Sequence, residues 1–391
     1  MRVIHIIPYI GEARGGPVIS MADYLSALKD SECQLTVAAA PRSNDGNPVK
    51  LPAGVEQHNA TKSYFGMFRF SPGFVRRLSK NEGYDVVHSH GLWTYASIAA
   101  DRVSRRQNIP HVITPCGMLQ EGALKRSRFK KNVCKKMFQV RILEHAVCIH
   151  AKSETEYKQI RSFGTCNPIA MIPNMILQPD ANIKKADIDN WKRHHGVEGK
   201  RLVLYVGRIH PVKGLERLLN AWTDIMNGEK KGWHLIIAGP DENGYKAELV
   251  KSIRHSGSME SIDFIGALEK KQKWISMEAA DLFVMPSDFE NFGTAIAEAM
   301  MAGCPVITTT ATPWSEVVEK AAGWYVTPDS NALRGALREA MHLSDNERAE
   351  MGEHAKVIAA RFRSEIVGKQ LLSLYRWVMR RTQKPNFVRL H

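Results

Sequence analysis

Along most of the chain, short apolar runs alternate with longer stretches in which apolar residues recur every three or four positions. This is the pattern of parallel strands joined by covering helices. In the first half the predicted strands are "RVIHIIPYI", "CQLTVAAA", "DVVHSH", "HVITPC", "AVCIHAKS" and "PIAMIPN". The second half repeats the scheme in "RLVLYVGR", "WHLIIAGP", "SIDFIGAL", "DLFVMPS", "CPVITTT" and "GWYVTP". Stretches such as "PVISMADYLSALKD" and "TYASIAADRVSRRQN" read as helices between strands, and from about residue 330 the pattern is helical to the end. The predicted fold class is α/β, with two doubly wound units in tandem.

The 391 residues exceed the size at which one core stops growing, which agrees with two units. The boundaries read as 1–177 for the first, a charged linker over 178–198, 199–363 for the second, and a C-terminal helix with a basic tail over 364–391. That last helix has apolar and basic faces, suited to packing on the first unit or to meeting a membrane. No apolar run approaches ~18 residues, so a cytoplasmic location is expected. Six scattered cysteines without a C-x-x-C pair suit reduced thiols, five of them as packing residues.

Charge is unevenly placed. Of the net +14, residues 1–178 carry +11, with 24 Lys/Arg against 13 Asp/Glu. Seven cations and no acid fall in "LKRSRFKKNVCKK" (124–136), a stripe that attracts an anionic surface, a phosphorylated acceptor or nucleic acid. A solvated helix face is the simpler reading. No nucleic-acid motif accompanies the stripe, so an anionic membrane met through Lys125–Lys136 is expected, with Phe129, Met137 and Phe138 lying among the cations.

Active sites of open α/β sheets form where strands end, so in a two-unit chain the expected site is the cleft between them. After "LVLYVG" come Arg208 and then Lys213, a fork-shaped cation and a point cation suited to two phosphates of one diphosphate. After "LFVMPS" comes "DFENFGTAIAEAMMAG", with Glu290 and Glu298 eight positions apart around an Asn-Phe-Gly turn. A helix starting near Asn291 would offer free N–H groups to an anion, and Gly293 would let a ligand approach the backbone. The two carboxylates could grip two ends of one ligand through its hydroxyls. Taken alone, Glu290 could equally complement the helix dipole and Glu298 be merely solvated.

The combination "GRIHPVKG" … "ENFGTAIAEAMMAGCPVI" resembles the retaining, nucleotide-sugar-dependent glycosyltransferases of the GT-B fold, glycosyltransferase family 4. Its hallmark, E-x7-E after an R-x4-K element, corresponds to Glu290 with Glu298 and Arg208 with Lys213. "GEARGGP" resembles the family's glycine loop, "DVVHSHGLW" its fourth-strand region and "IPNM" the end of its first domain. The resemblance implies that Arg208 and Lys213 bind the donor diphosphate and that Glu298 holds the ribose. Glu290 would hold the transferred sugar, helped by main-chain groups of Asn291, Phe292, Gly293 and Thr294. Gly15 and Gly16, followed by Pro17, would cap the phosphates, and Gly266 to Leu268 would lie near the base.

The family keeps the anomeric configuration, with front-side attack the usual proposal. Arg208 and Lys213 would then be the electrostatic catalysts, and no metal or cofactor is expected. The D-x-D at Asp187 and Asp189 lies in the linker and reads as surface.

One departure stands out. Where many members carry a histidine after the strand "HVIT", this chain has "TPCGML", with Cys116 in its place. His90, with Trp93 close behind, is the candidate substitute, and a packed structural histidine is the equal alternative. The resemblance implies a hexose-type transfer from a nucleotide-sugar donor, with UDP-sugar favoured and GDP-mannose the second choice. The basic first unit adds a lipid-linked or saccharide acceptor in bacterial surface polysaccharide synthesis, at the inner membrane face. Alternatives are a nucleotide-sugar-binding protein without turnover and a sugar-nucleotide epimerase on the same scaffold. "GEARGG" is not G-x-G-x-x-G, which speaks against an NAD-dependent oxidoreductase.

Overall fold

The computed structural model describes residues 1–391 except 12–14, 43–44, 61, 81–82, 121–122, 125–127, 179–181, 228–231, 255–256 and 391. The chain forms two units, Met1–Met175 with Arg363–His391, and Ile176–Phe362.

The first unit holds strands β1 (Arg2–Ile7), β2 (Gln34–Ala39), β3 (Glu56–Asn59), β4 (Val86–His90), β5 (His111–Thr114), β6 (Cys148–Ala151) and β7 (Ile169–Met171). The second holds β8 (Arg201–Val206), β9 (Trp233–Ala238), β10 (Ile262–Gly266), β11 (Leu282–Met285), β12 (Val306–Thr309) and β13 (Gly323–Val326). A short β14 (Val388–Arg389) returns to the first unit. Each of the twelve apolar runs became a strand. They are apolar on both faces because helices cover both sides of a parallel sheet.

The sheet orders are β14-β7-β6-β5-β4-β1-β2-β3 and β10-β9-β8-β11-β12-β13. All pairs are parallel except β14 with β7. The two strands outside the predicted pattern, β3 and β14, are both sheet edges. An edge pairs on one side only, so β3 can be the polar segment Glu-Gln-His-Asn and carries no apolar signal. Strand order reverses between β4 and β1 in one sheet and between β8 and β11 in the other. Crevices outside the carboxyl ends of such neighbours are where doubly wound sheets take ligands.

The segment read as a linker contains a helix, Lys185–His194, whose Trp191 is buried in the core of the second unit. Asp187 caps it, accepting from the Lys184 N–H at 3.0 Å and pairing with Lys271 at 3.5 Å. The C-terminal helix Ser364–Val378 packs on the helix Gly16–Leu28, with Gly368 against Ala27. Among the described residues no helix is long and apolar enough to cross a membrane. All six cysteines are free, but only Cys33, Cys148 and Cys304 are buried. Cys166 is exposed and Cys134 half-buried, so these two depart from the packing role read from the sequence.

Candidate active site

In the second unit the β8 and β11 ends are locked together by a glycine. Gly214 is left-handed (φ 67°), and a Cβ there would sit 2.1 Å from the Pro286 carbonyl oxygen, a clash that only glycine avoids. Around this contact, Arg217 donates to Pro286 O at 2.7 Å and pairs with Asp288 at 2.5 Å, while the Asp288 N–H donates to Val212 O at 2.8 Å. The loop after β8 thereby delivers Lys213 to the segment after β11. Lys213 Nζ lies 2.5 Å from Glu290 Oε1, which also accepts from Ser287 Oγ at 2.9 Å. Both side chains of the pair are mostly buried, with 14% and 12% exposed, so little water screens them.

The helix after Glu290 starts at Thr294, three residues later than Asn291. The reason lies in the turn. Gly293 is left-handed (φ 79°), and the Phe292 carbonyl accepts from Trp314 Nε1 at 2.5 Å, so neither belongs to the helix. The Phe292 ring is core, packed edge-on to Trp314 and Phe362, which leaves only its backbone for a ligand. Asn291 is half-buried.

Glu298, far from being a solvated residue, is buried in the helix, and its Oε1 receives Lys273 Nζ at 2.5 Å. Arg208 is half-exposed and bonded to Glu242. Gly266 ends β10, with its carbonyl taken by the Gly239 N–H at 2.7 Å, and Leu268 is half-buried just beyond. All these residues belong to the second unit.

In the first unit, Gly15 caps the helix Gly16–Leu28, with Pro17 inside its first turn, and the Gly15 carbonyl accepts from Val18 at 3.2 Å. Residues 12–14 of that loop lie outside the described residues. His90 ends β4 but is buried, not open to a sugar. It belongs to a hydrogen-bonded chain whose direction one carbonyl fixes. The Ile172 carbonyl can only accept, so His150 Nε2 carries the proton that reaches it at 2.7 Å. His150 Nδ1 then accepts from the Thr114 hydroxyl at 3.0 Å, and Thr114 Oγ1 accepts from His88 Nε2 at 2.8 Å. His88 Nδ1 accepts from the Tyr375 hydroxyl at 2.8 Å, and that oxygen faces His5 Nε2 at 3.4 Å. His5 Nδ1 is left to accept from His90 Nε2 at 2.9 Å. The chain ends on His90 Nδ1, a buried acceptor without a partner among the described residues.

His5, His88 and His90 bring ligand atoms within 4.8 Å of one another, as a metal site would. Every nitrogen except His90 Nδ1 is already accounted for by a hydrogen bond, so the trio reads as neutral hydrogen-bonding groups. Burial holds His5 and His150 down to about 3. Burial, then the charge of neighbouring histidines, pushes His88 well below its ordinary value. Burial, then His5 and Lys152, does the same to His90.

Cys116 follows β5 with a left-handed backbone (φ 57°), and burial pushes its thiol up, so it is a neutral thiol here. Beside it, buried Glu156 accepts from the Gly117 N–H at 2.6 Å and the Lys152 N–H at 2.8 Å, tying the ends of β5 and β6 together. Lys152 is itself buried, its ammonium donating to Ser20 Oγ at 2.6 Å. Trp93 is left-handed (φ 64°), an uncommon state for an aromatic residue, and its N–H donates to the buried Gln139 at 2.8 Å.

Two family models match the chain, one in each unit. The description "Glycosyl transferase 4-like domain" covers residues 15–175, and "Glycosyl transferases group 1" covers residues 187–357. The chain belongs to the GT-B group 1 glycosyltransferases. The D-inositol 3-phosphate glycosyltransferase of Corynebacterium urealyticum is 26% identical over 363 residues, 86% of this chain and 84% of the relative. Sucrose-phosphate synthase from Thermosynechococcus elongatus shares the fold with a TM-score of 0.77 at 20% identity, over 98% of this chain and 100% of that one. Anabaena HepE, solved with UDP-glucose, does so with a TM-score of 0.75 at 20% identity, over 96% and 99%.

In this glycosyltransferase the structure brings Lys213 to Glu290, while Arg208 and Glu298 each pair with a residue outside the family motif. Of those partners, Lys273 was not singled out in the sequence, nor were Ser287, Lys152, His5 and Tyr375. Lys273 lies in "EKKQKW", where nothing separates one lysine from its neighbours. His88 and His90 in "HSH" alternate along a strand, and only the β4–β1 pairing reveals that His5 meets them.

Proposed function

We propose that this glycosyltransferase moves a hexose-type sugar with retention from a nucleotide sugar to a lipid-linked or saccharide acceptor in bacterial surface polysaccharide synthesis. A UDP-sugar is the favoured donor, with GDP-mannose the second candidate. The reading is carried by the Lys213–Glu290 pair after β8 and β11. It joins a cation suited to the leaving diphosphate with a carboxylate suited to sugar hydroxyls, at the place where the fold takes ligands. Lys213 and Arg208 supply the positive charge that the leaving nucleotide needs, so the proposed mechanism uses no metal. In this proposal Glu298, held by Lys273, takes the two ribose hydroxyls. A fold neighbour solved with UDP-glucose supports the choice of UDP.

The proposed location is the inner membrane face, reached through the basic segment of the first unit. Residues 125–127 of that segment lie outside the described residues; Lys130 and Lys136 are exposed on the part that follows. The decisive test is the anomeric proton coupling of the product formed from an α-linked donor. An α-product supports retention, and a β-product overturns it. Neutralising Lys130 and Lys136 should weaken binding to phosphatidylglycerol vesicles, and unchanged binding would refute the membrane location.

A further inference from the structure

A cavity of about 740 Å³ opens in the first unit, within the range of roughly 300–1,000 Å³ typical of small-molecule sites. Its apolar walls are Trp93, Leu119, Leu124 and Phe163. Lys131, Lys135 and Lys158 also line it, and no carboxylate does so among the described residues. Trp93 and Leu119 each stand three residues past a candidate site residue, His90 and Cys116, so the cavity begins beside the ends of β4 and β5.

The local backbone is unusual on both sides of this space. Trp93 holds its left-handed conformation by its bond to Gln139, the last residue of a π-helical turn, Lys135–Gln139. Such turns interrupt α-helices frequently at functional sites, and left-handed bulky residues persist only where the surroundings enforce them. The same turn carries Lys135, whose ammonium lies 4.4 Å from the centre of the Phe163 ring. Cation and apolar wall are therefore parts of one built structure.

The outer face of this helical run identifies the source of the occupant. Phe129 (81% exposed), Val133 (40%) and Met137 (70%) recur at every fourth position, a stripe of large apolar side chains in water. Exposed Lys130 and Lys136 flank it. An apolar stripe edged by lysines is the form of a helix lying in a membrane interface. A cavity with apolar walls and a cationic lining beside such a stripe matches an amphiphile with one anionic group, delivered from the bilayer.

We infer that this cavity holds the lipid phosphate of the acceptor, the phosphate on Lys135 and Lys158 and the first part of the chain against Trp93, Leu124 and Phe163. The inference rests on the lipid-linked acceptor proposed above and gives it a place.

The test is calorimetric binding of geranyl phosphate to the full chain, with inorganic phosphate and geraniol as head-only and chain-only controls. Geranyl phosphate should bind at least about tenfold more tightly than either control, and Lys135→Gln with Lys158→Gln should weaken it about tenfold. Leu124→Asp, which sets a carboxylate in the apolar wall, should abolish binding. Phe129→Ser with Met137→Ser should leave geranyl phosphate binding intact while reducing flotation with phosphatidylglycerol vesicles. Far-UV circular dichroism of each variant separates lost binding from lost folding.

Equal binding of inorganic phosphate would overturn the proposal in favour of a soluble phosphorylated compound. Concentration-dependent dimerisation removed by the Phe129 and Met137 substitutions would overturn it in favour of a second copy of the chain. Indifference to the lysine substitutions would overturn it outright. A protein that binds geranyl phosphate but transfers no sugar refutes the transferase reading alone. One that hydrolyses a donor but ignores geranyl phosphate refutes this inference alone.

Discussion

Lys213 Nζ stands 2.5 Å from Glu290 Oε1 across 77 positions of sequence, because Gly214 lets the loop after β8 touch the Pro286 carbonyl after β11. The cation proposed for the leaving diphosphate and the carboxylate proposed for the transferred sugar thus form one preorganised group. Their mutual attraction fixes both side chains before a donor arrives. The hydrogen bond from Ser287 helps orient the shared carboxylate oxygen.

Removing the cation should therefore have two separable effects. Lys213→Ala should lower kcat/KM for transfer by roughly 10²–10³, the loss typical of an electrostatic catalyst. It should also destabilise the second unit by about 3 kcal/mol, since Glu290 is left as an uncompensated, mostly buried charge. Adding Glu290→Gln to that variant should restore part of the stability and none of the activity, a coupling that denaturant unfolding and steady-state kinetics will read.

Lys273 should act through Glu298. Lys273→Ala frees a buried carboxylate from the partner that orients it, so KM for the donor should rise about tenfold with a smaller change in kcat. Lys273→Met, which keeps a long unbranched side chain but no charge, should behave like alanine. An unaltered KM in both would remove Lys273 from the donor site.

The histidine chain of the first unit makes a prediction about proton positions. Tyr375 gives its proton to His88 and faces His5, so Tyr375→Phe deletes the link at which the direction set by Ile172 passes to His5 and His90. Nitrogen-15 spectra of wild-type protein near neutral pH should show His90 protonated at Nε2, and the variant should lose that uniform assignment. A stability loss of about 1–3 kcal/mol should accompany it, from buried groups left unsatisfied.

Burial makes the first unit sensitive to acid. His5, His111 and His150 are held at about 3 in the fold against 6.5 when exposed, so the unfolded chain binds more protons at any pH between those values. Their contribution is complete above about 6.5 and is lost as pH falls toward 3, by up to about 1.4 kcal/mol per pH unit for each imidazole. Denaturant midpoints measured from about pH 8 down to about pH 5 should be level at first and then fall steeply below about pH 6.5. A level profile throughout would mean that these imidazoles are charged or exposed in the native state.

What the sequence made legible was decided by periodicity and by position relative to strand ends. All twelve strands could be read because strands covered on both sides are short runs dominated by apolar residues. The edge strands β3 and β14 could not, since one-sided pairing imposes no such pattern. Glu290 and Lys213 were recognisable because their motifs follow predicted strands. The partner Lys273 was not, because an ion pair between distant segments leaves no spacing to detect. His90 was recognised as a strand-end residue, whereas its burial among His5, His88 and Tyr375 depends on sheet order and on the return of the last helix. The linker reading failed to show a helix over Lys185–His194, where only Ile188 and the buried Trp191 meet the core from a charged stretch.

The central claim is that the residues after β8 and β11 bind and activate a nucleotide sugar. Its most direct test is nucleotide release from a panel of UDP- and GDP-sugars by the wild-type chain and by Lys213→Ala and Glu298→Ala. One donor, a UDP-sugar by the present account, should be hydrolysed slowly by the wild type, raise its melting temperature, and do neither in the variants. Equal stabilisation of all three proteins, or turnover that survives both substitutions, would place the donor elsewhere and contradict the account.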